Sequence, residues 1–283
     1  RLVERGLLDL KAPLSEYMPE FAHLTVDDGV NPPHEAKNPI TVRDLFCMAN
    51  GYSYEYAFGE HKISEMQGQP CPTVPTVKQL AKLPLRFEPH TKFAYGLGHD
   101  MLAALVEVVS GMVNSHMHAT PDDRGGRLAA IYQMNDGKTS RCPNQDNSHI
   151  YGEEYDSGGA GIISCPADYI KFAMTMTRCG ISPDGSYQLL KPETVDLMRT
   201  PQLNDGELAS FAACNQYGYS YGLGVRTHVD PATSGRLSPV GEFGWDGALG
   251  AFVSFDPANK ISIVYIQSVY STPHPVNHKD ILN

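Results

Sequence analysis

Phe93-Ala-Tyr-Gly-Leu-Gly-His-Asp100 opens the stretch that decides the fold, because the chain changes character directly after it. Leu102, Leu105, Val106 and Val109 recur on one stripe and predict a helix over His99 to Val109, stopped by Gly111. Far downstream, Phe243-Gly-Trp-Asp-Gly-Ala-Leu-Gly250 lies between runs with the two-residue period of strands. Tyr219 to Thr227, Ser238 to Trp245, Gly250 to Phe255 and Ile261 to Ser268 read as strands, with Asp256-Pro-Ala-Asn259 turning between the last two. Helices in the middle followed by an antiparallel meander predict an α+β fold rather than alternating βαβ units.

Working outward, Arg1 to Leu10 reads as the end of an amphipathic helix stopped by Gly6 and then Pro13. A chain that opens inside a helix implies sequence upstream of Arg1. Residues 14–39, rich in Pro, Asp and Asn, read as loop. Ile40 to Phe46 predicts a short helix capped by Thr41, with Asp44 in its first turn. Further helices are expected over Val77 to Leu83, Leu128 to Met134, Pro166 to Arg178 and Pro192 to Arg199. In the third of these, Ile170, Phe172, Ala173 and Met176 should point inward. The 283 residues read as one domain over 1–283, helical over roughly 14–200 and sheet over roughly 215–270.

Composition excludes several classes. The net charge is -10, and the 22 Lys and Arg residues are scattered, so the basic stripe that nucleic acid demands is missing. No apolar run is long enough to be a transmembrane segment. The six cysteines are dispersed with no Cys-x-x-Cys, which fits reduced thiols and slightly favours a cytoplasmic setting; because the chain opens inside a helix, the lack of a signal peptide says little about compartment. His116-x-His118 and His274-x-x-x-His278 are the nearest approach to ligand spacing, and Pro275 spoils a helical geometry in the second. No metal and no cofactor are expected.

The two quoted segments carry the chemistry. A phenol such as Tyr95, beside Gly96 and Gly98, can serve as a general base if a nearby cation draws off its proton. The same tyrosine also fits a structural hydrogen bond at a helix start. His99-Asp100 reads either as a pair supporting Tyr95 or as the helix N-terminus. Gly247 would let a ligand approach, and the Ala248 N–H could donate into an oxyanion hole, with Trp245 as a wall. A hairpin turn beside a core tryptophan explains those residues equally well.

Taken together, these segments resemble the serine β-lactamase and penicillin-binding-protein superfamily, in particular its class C-like esterase branch. Leu2 to Phe21 is similar to the stretch after that family's nucleophile helix, and Ile40-Thr-Val-Arg-Asp-Leu-Phe-Cys-Met-Ala-Asn-Gly51 to its Ile-Thr-Ile-Arg-His-Leu-Leu-Thr-His-Thr-Ser-Gly segment. Tyr95 falls on the Tyr-x-Asn tyrosine, and Ser157-Gly-Gly-Ala-Gly-Ile-Ile-Ser164, with Gly159, on the glycine-rich segment. Trp245-Asp-Gly247 falls on Lys-Thr-Gly. The resemblance implies a β-lactamase-like sheet flanked by helices, apparently lacking its N-terminal strands, and an acyl-enzyme route for small esters or amides. It implies catalytic roles for Tyr95 and the Ala248 N–H, and substrate contacts at Leu97, Trp245, Asp246, Gly247 and Gly159.

Three departures qualify the resemblance. No serine in the chain is followed three residues later by lysine, so the Ser-x-x-Lys nucleophile element is absent. Leu97 replaces the asparagine and Trp245 the lysine that would grip a carboxylate, pointing to neutral substrates. Ser110-Gly-Met-Val-Asn114 lacks the further helix and Pro-Leu-Gly-Met turn. Alternatives are an inactive binding protein on this scaffold or a D-aminopeptidase or carboxypeptidase.

Overall fold

The computed structural model describes residues 1–110, 128–143 and 151–270. The described residues divide between two units, the first drawn from 1–118, 146–162 and 202–214, the second from 119–145, 163–201 and 215–283. The stretch 111–114 and the histidines at 116, 118, 274 and 278 lie outside the described residues.

In the first unit, Arg1 to Leu7 forms a single turn that ends as the sequence predicts. Leu7 N–H donates to the Leu2 carbonyl and Gly6 N–H to the Val3 carbonyl, with Gly6 at φ 68°, which is a Schellman ending. Residues 14–39 are more ordered than a loop. They contain 3-10 turns at Leu14–Glu16 and Pro19–Phe21, and an antiparallel pair, β1 (Thr25–Val26) and β2 (His34–Glu35). The buried Leu14, Met18, Phe21, Leu24 and Val26 explain the difference, since their irregular spacing fits neither helical nor strand periodicity.

Helices α1 (Val42–Phe46), α2 (Glu55–Phe58), α3 (Ile63–Gln67) and α4 (Thr73–Lys78) follow, α4 running into a 3-10 turn at Gln79–Lys82. The α1 start is a capping box: the Thr41 hydroxyl accepts from Asp44 N–H, and Asp44 Oδ2 accepts from Thr41 N–H at 2.6 Å. The long α5 (Gly98–Ser110) buries Met101, Leu102, Ala104 and Leu105 against this core, whereas Val106, expected on the stripe, is exposed.

The second unit begins with a correction. Leu128 to Met134 is no helix: β3 (Tyr132–Asn135) pairs antiparallel with β4 (Lys138–Arg141). Asp136 and Gly137 between them have φ 49° and 73°, the left-handed pair of a type I′ hairpin. Helix α6 (Pro166–Thr177) packs Ala173 and Met176 inward as expected, but Phe172 is exposed. Helix α7 (Pro192–Arg199) matches its predicted span. The chain then returns to the first unit for α8 (Asp205–Ala212), a helix that the periodicity does not predict.

The predicted strand Tyr219 to Thr227 is two, β5 (Tyr219–Tyr221) and β6 (Arg226–His228), because the chain turns through Leu223 and Gly224. After the short helix α9 (Pro231–Ser234) come β7 (Phe243–Asp246), β8 (Phe252–Asp256) and β9 (Ile261–Tyr265), giving an antiparallel sheet in the order β5-β6-β7-β8-β9. Phe243 and Phe255 bury against Ala173, Met176 and Val195 as this unit's core. Finally β10 (Val269–Tyr270) runs parallel to β3.

Candidate active site

Tyr95 is half-buried on a backbone fixed from both sides. Ala94 N–H donates to the Met48 carbonyl at 2.9 Å, and a Cβ on Gly96 would sit 2.5 Å from the Tyr52 carbonyl oxygen. Only glycine permits that approach. The Tyr95 ring meets Tyr54 edge-on, centroids 5.7 Å apart, and Tyr54 in turn packs against Phe58 at 5.4 Å.

The glycine-rich segment closes on the same place. Ser157 Oγ donates to Asp100 Oδ1 at 2.7 Å and accepts from Ala160 N–H at 3.1 Å. A Cβ on Gly158 would lie 2.0 Å from the His99 carbonyl oxygen, and one on Gly159 2.9 Å from the Tyr54 hydroxyl. Gly159 therefore lies against Tyr54, whose ring meets Tyr95. The sequence brings Tyr95 and Gly159 together through Tyr54, a residue that no sequence pattern singles out.

Burial governs the charges here. Asp100 is fully buried at the start of α5, and desolvation raises its carboxyl to about 6, opposed by the Ser157 hydrogen bond. Burial lowers His99 to about 4, so its imidazole is neutral at neutral pH. Desolvation, aided by the neighbouring Asp100, also raises the Tyr54 and Tyr155 phenols. His99-Asp100 is the N-terminus of α5, one of its two sequence readings, with Asp100 buried there rather than exposed.

Leu97 has no exposed surface: its side chain belongs to the first unit's core with Leu45 and Met101. The remaining sequence-predicted residues stand at the β7–β8 connection in the second unit. The β6 ladder ends at the Arg226–Gly244 pair, while the β8 ladder continues through Trp245–Val253 and Asp246–Phe252. Trp245 meets the buried Tyr221 edge-on at 4.9 Å. Gly247 N–H donates to the Ala251 carbonyl and Gly250 N–H to that of Gly247, leaving Ala248 exposed at the tip of the turn. Among the described residues the Ala248 N–H has no hydrogen-bond acceptor.

Asp246 does more than its sequence reading says. Its Oδ1 accepts from Arg226 Nη1 at 3.0 Å, and Arg226, itself without exposure, also lies 3.4 Å from Glu242 Oε1. Ser254 Oγ donates to the same Glu242 oxygen at 2.6 Å, and the guanidinium lies 4.8 Å from the Phe252 ring centroid. Burial raises the Glu242 carboxyl while Arg226 opposes the rise. Alternation along β6 hides this charge: Arg226 occupies a position that reads simply as strand.

Ser234 Oγ stands 2.6 Å from His228 Nε2, an arrangement that superficially matches a nucleophile and its base. His228 is fully buried with its ring stacked on Tyr219, and Ser234 Oγ also accepts from Arg236 N–H, so the pair ties a loop together. Among the described residues, Asp44, His90 and Glu207 form the one group of three metal-ligating side chains with donor atoms within 4.8 Å of one another.

The chain is similar to known proteins over nearly its whole length. Esterase EstB of Burkholderia gladioli is 24% identical over 307 residues, covering 94% of this chain and 72% of that protein. Acyltransferase calJ of Penicillium decumbens is 23% identical, over 92% of this chain and 63% of its own. The solved structure of EstCE1, a hydrolase with promiscuous acyltransferase activity, superposes with a TM-score of 0.76 at 21% identity, covering all of this chain and 78% of that one. The Beta-lactamase family model matches residues 1–282, so its reach takes in the Tyr95 corner, the glycine-rich segment and the β7–β8 turn together, and the chain belongs to that family.

Proposed function

We propose that this chain forms the greater part of a serine hydrolase that moves acyl groups from small neutral esters or amides through an acyl-enzyme. The observation that carries this reading is the Tyr95 corner, where a phenol is held by backbone contacts, by Tyr54 and, through Tyr54, by Gly159. Such fixation is what a proton-transfer group needs and more than a loop tyrosine requires. Tyr95 would take the nucleophile's proton and return it to the leaving group, and the Ala248 N–H would donate to the oxyanion. The nucleophile would be the serine of a Ser-x-x-Lys element, which these 283 residues do not contain. Assayed by itself, the chain should release no p-nitrophenol from p-nitrophenyl butyrate.

Substrate choice follows from what stands in place of charge. Trp245 offers an aromatic face and no cation, and Leu97 offers no carboxamide, so neither rewards a β-lactam carboxylate or a peptide terminus. In a protein extending this chain upstream with Ser-x-x-Lys, Tyr95→Phe should lower p-nitrophenyl butyrate hydrolysis by about 100-fold or more. Undiminished turnover in that variant would remove Tyr95 from the mechanism. Ala248→Pro deletes the exposed N–H, and a fall in kcat of about 100-fold with unchanged circular dichroism is expected.

A second reading concerns the acyl acceptor. Relatives named as acyltransferases favour an alcohol competing with water for the acyl-enzyme. Ester formation from p-nitrophenyl butyrate and an added alcohol, with p-nitrophenol release conserved, would identify it. Activity on D-amino-acid amides above that on esters would instead favour the peptidase.

A further inference from the structure

Two helix starts in the first unit use the same device. At α1, Asp44 Oδ2 accepts from Thr41 N–H at 2.6 Å and from the Thr41 hydroxyl at 2.6 Å. At α8, Glu207 Oε2 accepts from Asn204 N–H at 2.8 Å, and Asn204 Oδ1 accepts from Glu207 N–H at 3.0 Å. Each capping box occupies one carboxylate oxygen and leaves the other over. Asp44 Oδ1 lies 2.7 Å from His90 Nδ1, and Asp44, His90 and Glu207 each bring one donor atom within 4.8 Å of the others. Both carboxylate side chains have no solvent exposure, and Glu207 Oε1 has no hydrogen-bond partner. A buried carboxylate oxygen without a partner is costly unless something neutralises it.

The third donor is fixed with equal care. His90 holds a left-handed backbone, φ 69°, a region that glycine, asparagine, aspartate and histidine populate more readily than other residues. Its N–H donates to the Ala49 carbonyl at 3.2 Å, and its carbonyl accepts from Asn204 Nδ2 at 2.7 Å. Asn204 therefore caps α8 and grips His90 at once. Nδ1 stands 2.7 Å from Asp44 Oδ1, with the side chain 35% exposed, which leaves a path to solvent.

We infer that Asp44, His90 and Glu207 bind a borderline divalent cation, of which zinc is the type, at a site separate from the acyl-transfer reading. One imidazole nitrogen and two carboxylate oxygens suit such an ion, with water completing a tetrahedron. Donors around one zinc sit roughly 3.4 Å apart, so the widest pair must close by about 1.4 Å, which side-chain rotation supplies. The ion replaces the proton on His90 Nδ1, which leaves to solvent, and the other ring nitrogen keeps its own proton. Arg43 is the competing cation. Its guanidinium lies 3.6 Å from Asp44 Oδ1 and 3.7 Å from Glu207 Oε2, and it donates to the Gln202 carbonyl, offsetting one of the two negative charges. Asp44 also raises the affinity of His90 for a proton, so metal and proton contend for one nitrogen.

The test is zinc chloride titration of the whole chain, stripped with chelator, followed calorimetrically at pH 7.5. Glu207→Gln keeps the capping box, because glutamine serves at that position, yet turns an amide toward the site. His90→Asn keeps the left-handed backbone and removes the imidazole. One zinc per chain is expected, with affinity lowered at least tenfold in each variant while far-ultraviolet dichroism stays unchanged. Should His90→Asn fail to fold, Glu207→Gln decides alone. No binding at 100-fold excess zinc over chain, or binding equal in parent and variants, would overturn the site and leave Arg43 and a protonated His90 as the cations that offset the two acids.

Discussion

At the scale of the residue, Asp100 shows how burial is converted into pH dependence. Its folded pKa of about 6 lies above the ordinary 3.8, because desolvation outweighs the hydrogen bond from Ser157. An acid raised in this way stabilises the fold most when protonated. Its contribution is complete below about pH 4 and is lost as pH rises through about 6, a swing of roughly 3 kcal/mol. Asp100→Asn, which can still accept from Ser157, should therefore gain stability relative to the parent as pH rises from about 4 to 7. Urea midpoints of both proteins across that range check the prediction, and a pH-independent difference would contradict it. The place of His99-Asp100 at a helix start was legible in the sequence, but the burial of Asp100 was not. Burial came from the glycine-rich segment 57 residues further on, and no local pattern reports it.

At the scale of the element, caps explain both the successes and the misses. Thr41 and Asp44 announced α1, and the capping box is there. Asn204-x-x-Glu207 carries the same signal ahead of α8, with Leu208 and Phe211 following at helical spacing, and was legible on the same rule. Asn204→Ala removes the cap and the hydrogen bond to the His90 carbonyl, and should cost about 1 to 2 kcal/mol in chemical denaturation. A cost near zero would mean that α8 is held by packing alone, with Phe93 and Phe211 edge-on at 4.9 Å as the main contact. The β3–β4 hairpin was missed because apolar Leu128, Ala129, Ala130 and Ile131 suggested a helix, yet Asp136-Gly137 is the stronger signal. Turn chemistry prevailed over a short apolar run. Beyond it, β5 and β6 were fused for the opposite reason: Tyr219 to Thr227 lacks a polar break, and only the geometry at Leu223 and Gly224 divides it.

At the scale of the whole molecule, the chain visits the first unit, the second, the first, the second, the first and the second in turn. The order of helical and strand periodicities foretold the α+β class and the sheet near the C-terminal end. A linear reading into a helical part over 14–200 and a sheet part from 215 does not convey this alternation, because α8 belongs with the first core. A consequence is that neither unit is a contiguous fragment. Residues 202–283 expressed alone would carry the five-stranded sheet without α6 and α7, exposing Phe243 and Phe255, which those helices cover. Such a fragment should show no cooperative thermal transition by circular dichroism. A sharp transition would mean the sheet is self-sufficient.

All six cysteines carry free thiols, and they differ sharply in accessibility. Burial pushes Cys47 up to about 12 and raises Cys71, so both stay protonated and slow to react at neutral pH. Cys214 and Cys165 are exposed, and they fall one in each unit. The native sequence thus supplies one accessible thiol in each unit. A maleimide dye at neutral pH should therefore label Cys165 and Cys214 well before Cys47 and Cys71, without a single engineered substitution.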